Sequence, residues 1–277
     1  MERKKITITD IQNKKKQGSP ITMLTAYDFP LASVIDEAGI DIILVGDSVG
    51  MVVLGYKDTL PVTMREMIHH SKAVARATEY AFLIGDMPFM SYQASVEQAI
   101  KNAGRFIKDG GCDAVKVEGG IEAIEKIKAI INAGIPCLGH IGLTPQSATK
   151  LGGFKVQGKT SISAKKIVED AVALENAGCF AVILECIPDK LSKIITSKLK
   201  IPTIGIGAGI NCDGQVLVTH DILGLYKKFT PKFAKRYVDL LAQMEKAVRQ
   251  YKDDVEARRF PGEEHSFSVD EKELEGL

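Results

Sequence analysis

The 277-residue chain has no tryptophan, only 6% aromatic residues and only five cysteines. Cys112, Cys137, Cys179, Cys186 and Cys212 are scattered, odd in number and never in CxxC spacing. That excludes a disulfide scaffold or a cysteine zinc site and reads as reduced thiols in a cytoplasmic protein. No apolar run approaches the roughly 18 residues of a transmembrane helix. The basic start, MERKK, is followed by none of the apolar stretch of a signal peptide. One-sided charge is also missing: 36 Lys and Arg stand against 35 Asp and Glu, a net +1. Nothing electrostatic therefore favours nucleic acid or an anionic membrane as partner. Gly152, Gly153 and Gly158 fit no P-loop spacing.

What is present is a series of short apolar runs that end on charge. IDIILVGDS, AFLIGDMPF and DAVKVEGG deliver Asp47, Asp86 and Glu118. Each run is β-rich and apolar on both faces, as buried parallel strands are. Carboxylates at the C-terminal ends of such strands stand on the catalytic rim of a parallel α/β barrel. Three anions converging there repel one another unless a cation lies between them. With no Cys or His at ligand spacing, an all-oxygen set suits Mg²⁺ better than Zn²⁺. A helix-capping role explains one such carboxylate; three on consecutive strands favour the cation.

Further runs centre near residues 24, 138, 183, 204 and 218, which makes eight strands, most of them separated by helical stretches. The expected fold is a single (β/α)8 TIM barrel over 1–277, with a polar lead-in over 1–18, a helical extension from Lys227 and a charged tail from about 252 to 277. Several local readings follow. Lys14–Lys16 form a solvated face, Ser95 with Gln98 forms a capping box, and Ser163 caps the helix after it. His69 and His70 lie on a helix away from the rim. Strand eight ends in His220 and Asp221. The segment 49–61 is too apolar for an ordinary surface loop and lies over the site or in a subunit contact. The Gly-rich stretch 143–160 reads as a mobile active-site loop.

Strand parity turns Lys116 to the same inner face as Glu118. A buried lysine there needs an anion: either the carboxylates, as a structural ion pair, or a substrate. His140 reaches the rim on strand five, and Glu185 on strand six. Glu185 alone reads equally as a cap or a salt-bridge partner.

The blocks MLTAYDFP, VGDSVGMVVLGY, GDMPFMSY, VKVEGG, GHIGLTPQS, GGFKVQG, LECIP, IPTIGIGAG and FPGEEHSF resemble the ketopantoate hydroxymethyltransferase family, in order and almost end to end. The resemblance implies a metal site of Asp47, Asp86 and Glu118, oxoacid binding by Asp47, Ser48, Asp86 and Lys116, and Glu185 as proton acceptor. It also implies Mg²⁺, 5,10-methylenetetrahydrofolate as one-carbon donor to 3-methyl-2-oxobutanoate, the first committed step of pantothenate synthesis, and a homodecamer. A rival reading is a Mg-dependent 2-oxoacid lyase or mutase of the isocitrate lyase and phosphoenolpyruvate mutase type, which would be expected to carry a KKCGH-like cysteine block that this chain lacks. A non-catalytic oxoacid-binding barrel has no reason to keep Glu185 beside a complete metal set.

Overall fold

The computed structural model describes residues 3–149, 152–226 and 231–276. Eight parallel strands close into a barrel in chain order: β1 (Ile21–Thr25), β2 (Ile42–Val45), β3 (Phe82–Asp86), β4 (Ala114–Glu118), β5 (Cys137–Gly142), β6 (Ala181–Glu185), β7 (Thr203–Ile206) and β8 (Gly214–Leu217). Strand β8 pairs back onto β1, so no sheet edge remains. Among the described residues no helix is long and apolar enough to cross a membrane.

Helix α1 (Ile8–Gln17) precedes the barrel, and α2 (Phe29–Glu37), α3 (Val49–Val52), α4 (Met64–Ala75), α5 (Val96–Lys108), α6 (Ile124–Asn132), α7 (Ser161–Ala177), α8 (Asp189–Lys198), α9 (Thr219–Leu223) and α10 (Leu240–Glu256) follow. The chain divides into two compact units, residues 1–219 with 231–234 and residues 220–230 with 235–277. In the second unit Asp239 caps α10, which buries none of its residues.

Alternation along the strands builds two cores. Outward residues such as Ile43, Leu83, Val115, Val182 and Leu184 pack with Met67, Phe106, Ile127, Leu174 and Ile195 of the helices. Inward residues Ile21, Met23, Ile42, Leu44, Phe82, Ile84, Ala114, Leu138, Ile183, Ile204 and Val216 fill the barrel, and Ile11 of α1 joins them. At the N-terminal ends of the strands α1 also sends out its lysines. Lys14 pairs with Asp41 at 2.6 Å and Lys15 with Asp213 at 2.7 Å. Two of the three lysines expected on a solvated face are therefore structural ties, because the barrel floor supplies their carboxylates.

Other local expectations also shift. Helix α7 is capped by Thr160, with Ser163 in the reciprocal N3 position, so the capping box starts one turn earlier than Ser163. Ser95 accepts from Gln98 N, but Gln98 Oε1 returns no bond, leaving half a box. Strand β8 stops at Leu217, and His220 and Asp221 lie in α9, beyond the strand. The C-terminal helix begins at Leu240, well after Lys227; residues 227–230 lie outside the described residues, as do Lys150 and Leu151 of the 143–160 loop.

Candidate active site

The inward rows run from apolar at the floor to charged at the rim. On β3 the row is Phe82, Ile84, Asp86; on β4 it is Ala114, Lys116, Glu118; on β5, Leu138 then His140; on β6, Ala181, Ile183, Glu185. Parallel register sets Asp86 beside Lys116 and Glu118 beside His140. Asp47 follows directly on the end of β2. Gly46 lies between them, and a Cβ there would stand 2.8 Å from Ser48 Oγ, so a larger residue would turn that hydroxyl aside.

The five residues at the centre are all buried: Asp47, Asp86, Lys116, Glu118 and His140. Lys116 Nζ lies 3.0 Å from Asp86 Oδ1, 3.5 Å from Glu118 Oε1 and 3.1 Å from His140 Nδ1. Asp47 N donates to Asp86 Oδ2 at 3.0 Å. Asp86 Oδ1 and Glu118 Oε1 nonetheless have no hydrogen-bond partner, because their contacts with Lys116 are ion pairs off the hydrogen-bonding direction. Ser48, half-buried, meets Tyr27 Oη at 2.7 Å, and the Tyr27 carbonyl meets His70 Nδ1 at 2.7 Å. His70 is thus tied to the residue that holds Ser48, a link that no local sequence signal marks.

Burial, together with repulsion from Asp86 and Glu118, pushes the Asp47 carboxyl well above its usual range. Burial raises Asp86 as well. For Glu118 burial works the same way, but the Lys116 ammonium and His140 outweigh it and lower the carboxyl. Burial opposes a charged Lys116; Asp86, Glu118 and Asp47 overcome that and hold it protonated well above the ordinary lysine range. Burial and Lys116 both oppose a charged imidazole, yet the Glu118 and Glu185 carboxylates, 3.4 and 3.1 Å away, raise His140 to about 9. The 3.1 Å contact with Lys116 Nζ works against that charge, since it needs a bare Nδ1. The neutral tautomer with its hydrogen on Nε2 fits the contact; Nε2 then lies 3.1 Å from Glu185 Oε2, within ion-pair distance but off the hydrogen-bonding direction.

Glu185 ends β6 and is only half-buried, so it faces both the cluster and the opening. The chain turns sharply after it: Cys186 adopts φ 47°, a left-handed conformation that costs a side-chain-bearing residue about 1–2 kcal/mol. Across from it Gly142 has φ 94°, and a Cβ there would lie 2.2 Å from the Glu185 carbonyl oxygen. Leu143 N donates to that same oxygen at 2.9 Å.

The loop after β5 supplies one participant that the sequence did not reveal. Gln146, 4% exposed, reaches back over the rim from the 3-10 turn Pro145–Ser147. Its Nε2 donates to Asp47 Oδ2 and its backbone N to Glu118 Oε2, at 2.9 and 3.1 Å. It lies in the LTPQS stretch, but nothing about a lone glutamine after a proline marks it as buried among carboxylates.

Among the described residues no three His, Cys, Asp or Glu side chains are disposed as a ready ligand cage. The donor set still suits a hard divalent cation. It is all oxygen, two of its buried oxygens lack hydrogen-bond partners, and Asp47 has no cation within ion-pair distance among the described residues.

The sequence model of the family described as ketopantoate hydroxymethyltransferase matches residues 5–263. A protein of Syntrophomonas wolfei subsp. wolfei named 3-methyl-2-oxobutanoate hydroxymethyltransferase is 55% identical over 273 residues, covering 99% of both chains. One of the same name from Moorella thermoacetica is 56% identical, covering 96% of this chain and 99% of its own. Among solved structures, phosphonopyruvate hydrolase in complex with oxalate and Mg²⁺ superposes with a TM-score of 0.62 at 13% identity, over 97% of this chain and 93% of that one. A 2,3-dimethylmalate lyase of the phosphoenolpyruvate mutase and isocitrate lyase superfamily gives 0.58 at 13% identity, over 96% and 92%. At such identities the likeness is one of fold alone.

Proposed function

Because the chain belongs to the ketopantoate hydroxymethyltransferase family, and so is a transferase enzyme, we propose that it moves a hydroxymethyl group from 5,10-methylenetetrahydrofolate to C3 of 3-methyl-2-oxobutanoate, giving 2-dehydropantoate. The observation that carries this reading is the rim itself. Asp47, Asp86 and Glu118 gather about Lys116, and His140 links that cluster to Glu185.

Asp47, Asp86 and Glu118 would hold Mg²⁺, directly or through its waters. When bound, the ion draws electron density from a 2-oxo group and makes the neighbouring C3–H more acidic. The remaining work belongs to the protein. Lys116 and Ser48 meet the oxoacid's anionic end, Lys116 as a fixed positive charge and Ser48 as a hydroxyl oriented by Tyr27. Glu185 takes the C3 proton, with the His140 imidazole 3.1 Å from its carboxylate. The C3 carbanion bonds to the donor's methylene carbon as one of its two C–N bonds breaks. Water replaces the second C–N bond to give the hydroxyl, and the C3 proton from Glu185 and one proton of the water end on the two nitrogens of the departing tetrahydrofolate. Five free thiols support a reducing, cytoplasmic setting. Exposed Met244, Val248 and Tyr251 on α10 support a homo-oligomer, the decamer of the family resemblance; light scattering measures its size.

The testing experiment follows C3 proton exchange of 3-methyl-2-oxobutanoate in D₂O by NMR, with Mg²⁺ and without folate. Exchange is expected in the unmodified chain, and Glu185→Gln is expected to slow it about 10²–10⁴-fold with oxoacid binding retained. Near-normal exchange in the variant would move the base elsewhere, His140 being the nearest alternative.

A further inference from the structure

We propose that Gln146 is a positioning residue: it holds Asp47 and Glu118 in the arrangement that takes up the divalent cation. The inference rests on the metal reading above and adds to it a residue from a different loop.

The contacts of Gln146 use its full hydrogen-bonding capacity. Nε2 donates to Asp47 Oδ2 and to the Met87 carbonyl, both at 2.9 Å. Oε1 accepts from Tyr92 Oη at 3.1 Å and from Gln93 Nε2 at 3.3 Å. The backbone N–H, at 3.1 Å from Glu118 Oε2, adds a fifth contact. A flipped amide would set Oε1 against the Met87 carbonyl and the Asp47 carboxylate, so the network dictates its orientation. Tyr92 has one hydroxyl hydrogen, which it shares between Gln146 Oε1 and the nearer Glu118 carbonyl oxygen at 2.9 Å. One residue thus clamps a carboxylate just beyond β2 and one at the end of β4, on either side of β3.

The kind of donor matters. Lys116 already partners Asp86 and Glu118, whereas Asp47 faces the neutral Gln146 amide and no cation within ion-pair distance among the described residues. A lysine in that place would hold Asp47 equally well but cancel its charge. A neutral amide fixes the carboxylate and leaves its charge for an incoming cation. Without the amide, only the Lys116 charge, beyond ion-pair distance, works against the repulsion of Asp47 by Asp86 and Glu118, and no hydrogen bond to Gln146 fixes where the carboxylate sits.

The test uses the full chain and Mn²⁺ as probe, free Mn²⁺ being read by electron paramagnetic resonance with no substrate present and far below the melting temperature. Gln146→Met keeps the stem and the backbone N–H but removes the amide. Residues that orient metal ligands are typically worth 10–100-fold in metal affinity, so Mn²⁺ is expected to bind about 10–100-fold more weakly. Tyr92→Phe frees one side of the amide and should weaken binding by about three- to tenfold, the worth of one neutral hydrogen bond. Thr203→Val, at the opposite end of the barrel, serves as the structural control: it should lower the melting temperature and leave Mn²⁺ affinity unchanged. No Mn²⁺ uptake by the unmodified chain would remove the metal reading, and this inference with it. Uptake by the unmodified chain with unchanged affinity in folded Gln146→Met overturns the inference alone. If Gln146→Met does not fold, unchanged affinity in Tyr92→Phe has the same force.

Discussion

The two ends of this barrel carry aspartates of opposite design. At the floor, Asp213 Oδ2 accepts from Thr203 N at 2.8 Å, Thr203 Oγ1 at 3.0 Å and Lys15 Nζ at 2.7 Å. Asp41 repeats the pattern with Thr22 N, Thr22 Oγ1 and Lys14, at 2.8, 2.9 and 2.6 Å. Each threonine also accepts from the backbone N–H of its aspartate. At the rim, Asp86 and Glu118 share one lysine and keep oxygens without hydrogen-bond partners, and Asp47 accepts from the neutral Gln146 amide with no cation in ion-pair distance among the described residues. A satisfied carboxylate holds the fold; an unsatisfied buried one stores unfavourable energy that a ligand can release.

The contrast predicts opposite responses to one kind of change. Asp47→Asn is expected to lower oxoacid C3 exchange by about 10²–10³-fold, the scale on which one electrostatic contact acts in a transition state. In metal-free protein the same variant should melt no lower than the unmodified chain, because it removes a charge that its neighbours repel. Asp213→Ala should behave in reverse. It removes the counter-charge of Lys15, which keeps only the Thr196 carbonyl, and strands Thr203 N; it should cost about 2–4 kcal/mol of stability, while exchange by the folded fraction stays near normal. Thermal melts and exchange rates on both variants check the pair; a cold-stable, inactive Asp213→Ala would erase the distinction between the ends.

Metal sharpens it further. A ligand that binds only the folded state at a hundredfold excess over its dissociation constant adds about 2.7 kcal/mol. Mg²⁺ should therefore raise the melting temperature of the unmodified chain and of Asp41→Ala by the same increment. That increment should disappear in Asp47→Asn. An equal Mg²⁺ shift in Asp47→Asn would place the cation elsewhere.

The rim was far more legible in the sequence than the floor. The strand runs end on Asp86, Glu118 and Glu185, and period-two alternation turns Lys116 inward with Glu118, which is what the barrel shows. Charge at the end of an apolar run is a local signal. The floor pairs are not local: Lys15 and Asp213 are 198 residues apart, and only barrel closure and the docking of α1 bring them together. A run of three lysines on a short helix therefore reads as a wet surface. Gln146 was missed for the same reason, lying 99 residues from Asp47. One helix start is misplaced by a turn, because Thr160 holds the N-cap and Ser163 is its reciprocal N3 partner.

Lysine offers the finest comparison, because the same truncation can be made at both ends. Lys15→Met keeps the stem that lies along the floor and deletes the charge. Asp213 retains Thr203 N and Oγ1, so about 1 kcal/mol is expected to be lost, and nothing at the rim should change. Lys116→Met deletes the only lysine or arginine charge paired with the rim carboxylates among the described residues. If Lys116 served the fold alone, its loss should resemble a larger version of Lys15→Met, with a lower melting temperature and unchanged oxoacid affinity. If it meets the oxoacid, Mg²⁺ should restore most of the lost stability by taking over the carboxylates, while the affinity for 3-methyl-2-oxobutanoate stays reduced. Titrating the oxoacid into both variants, folded and loaded with Mg²⁺, separates the outcomes. Reduced affinity in Lys116→Met alone is expected; equal and normal affinity in both would make Lys116 a structural ion pair, as its two carboxylates already permit.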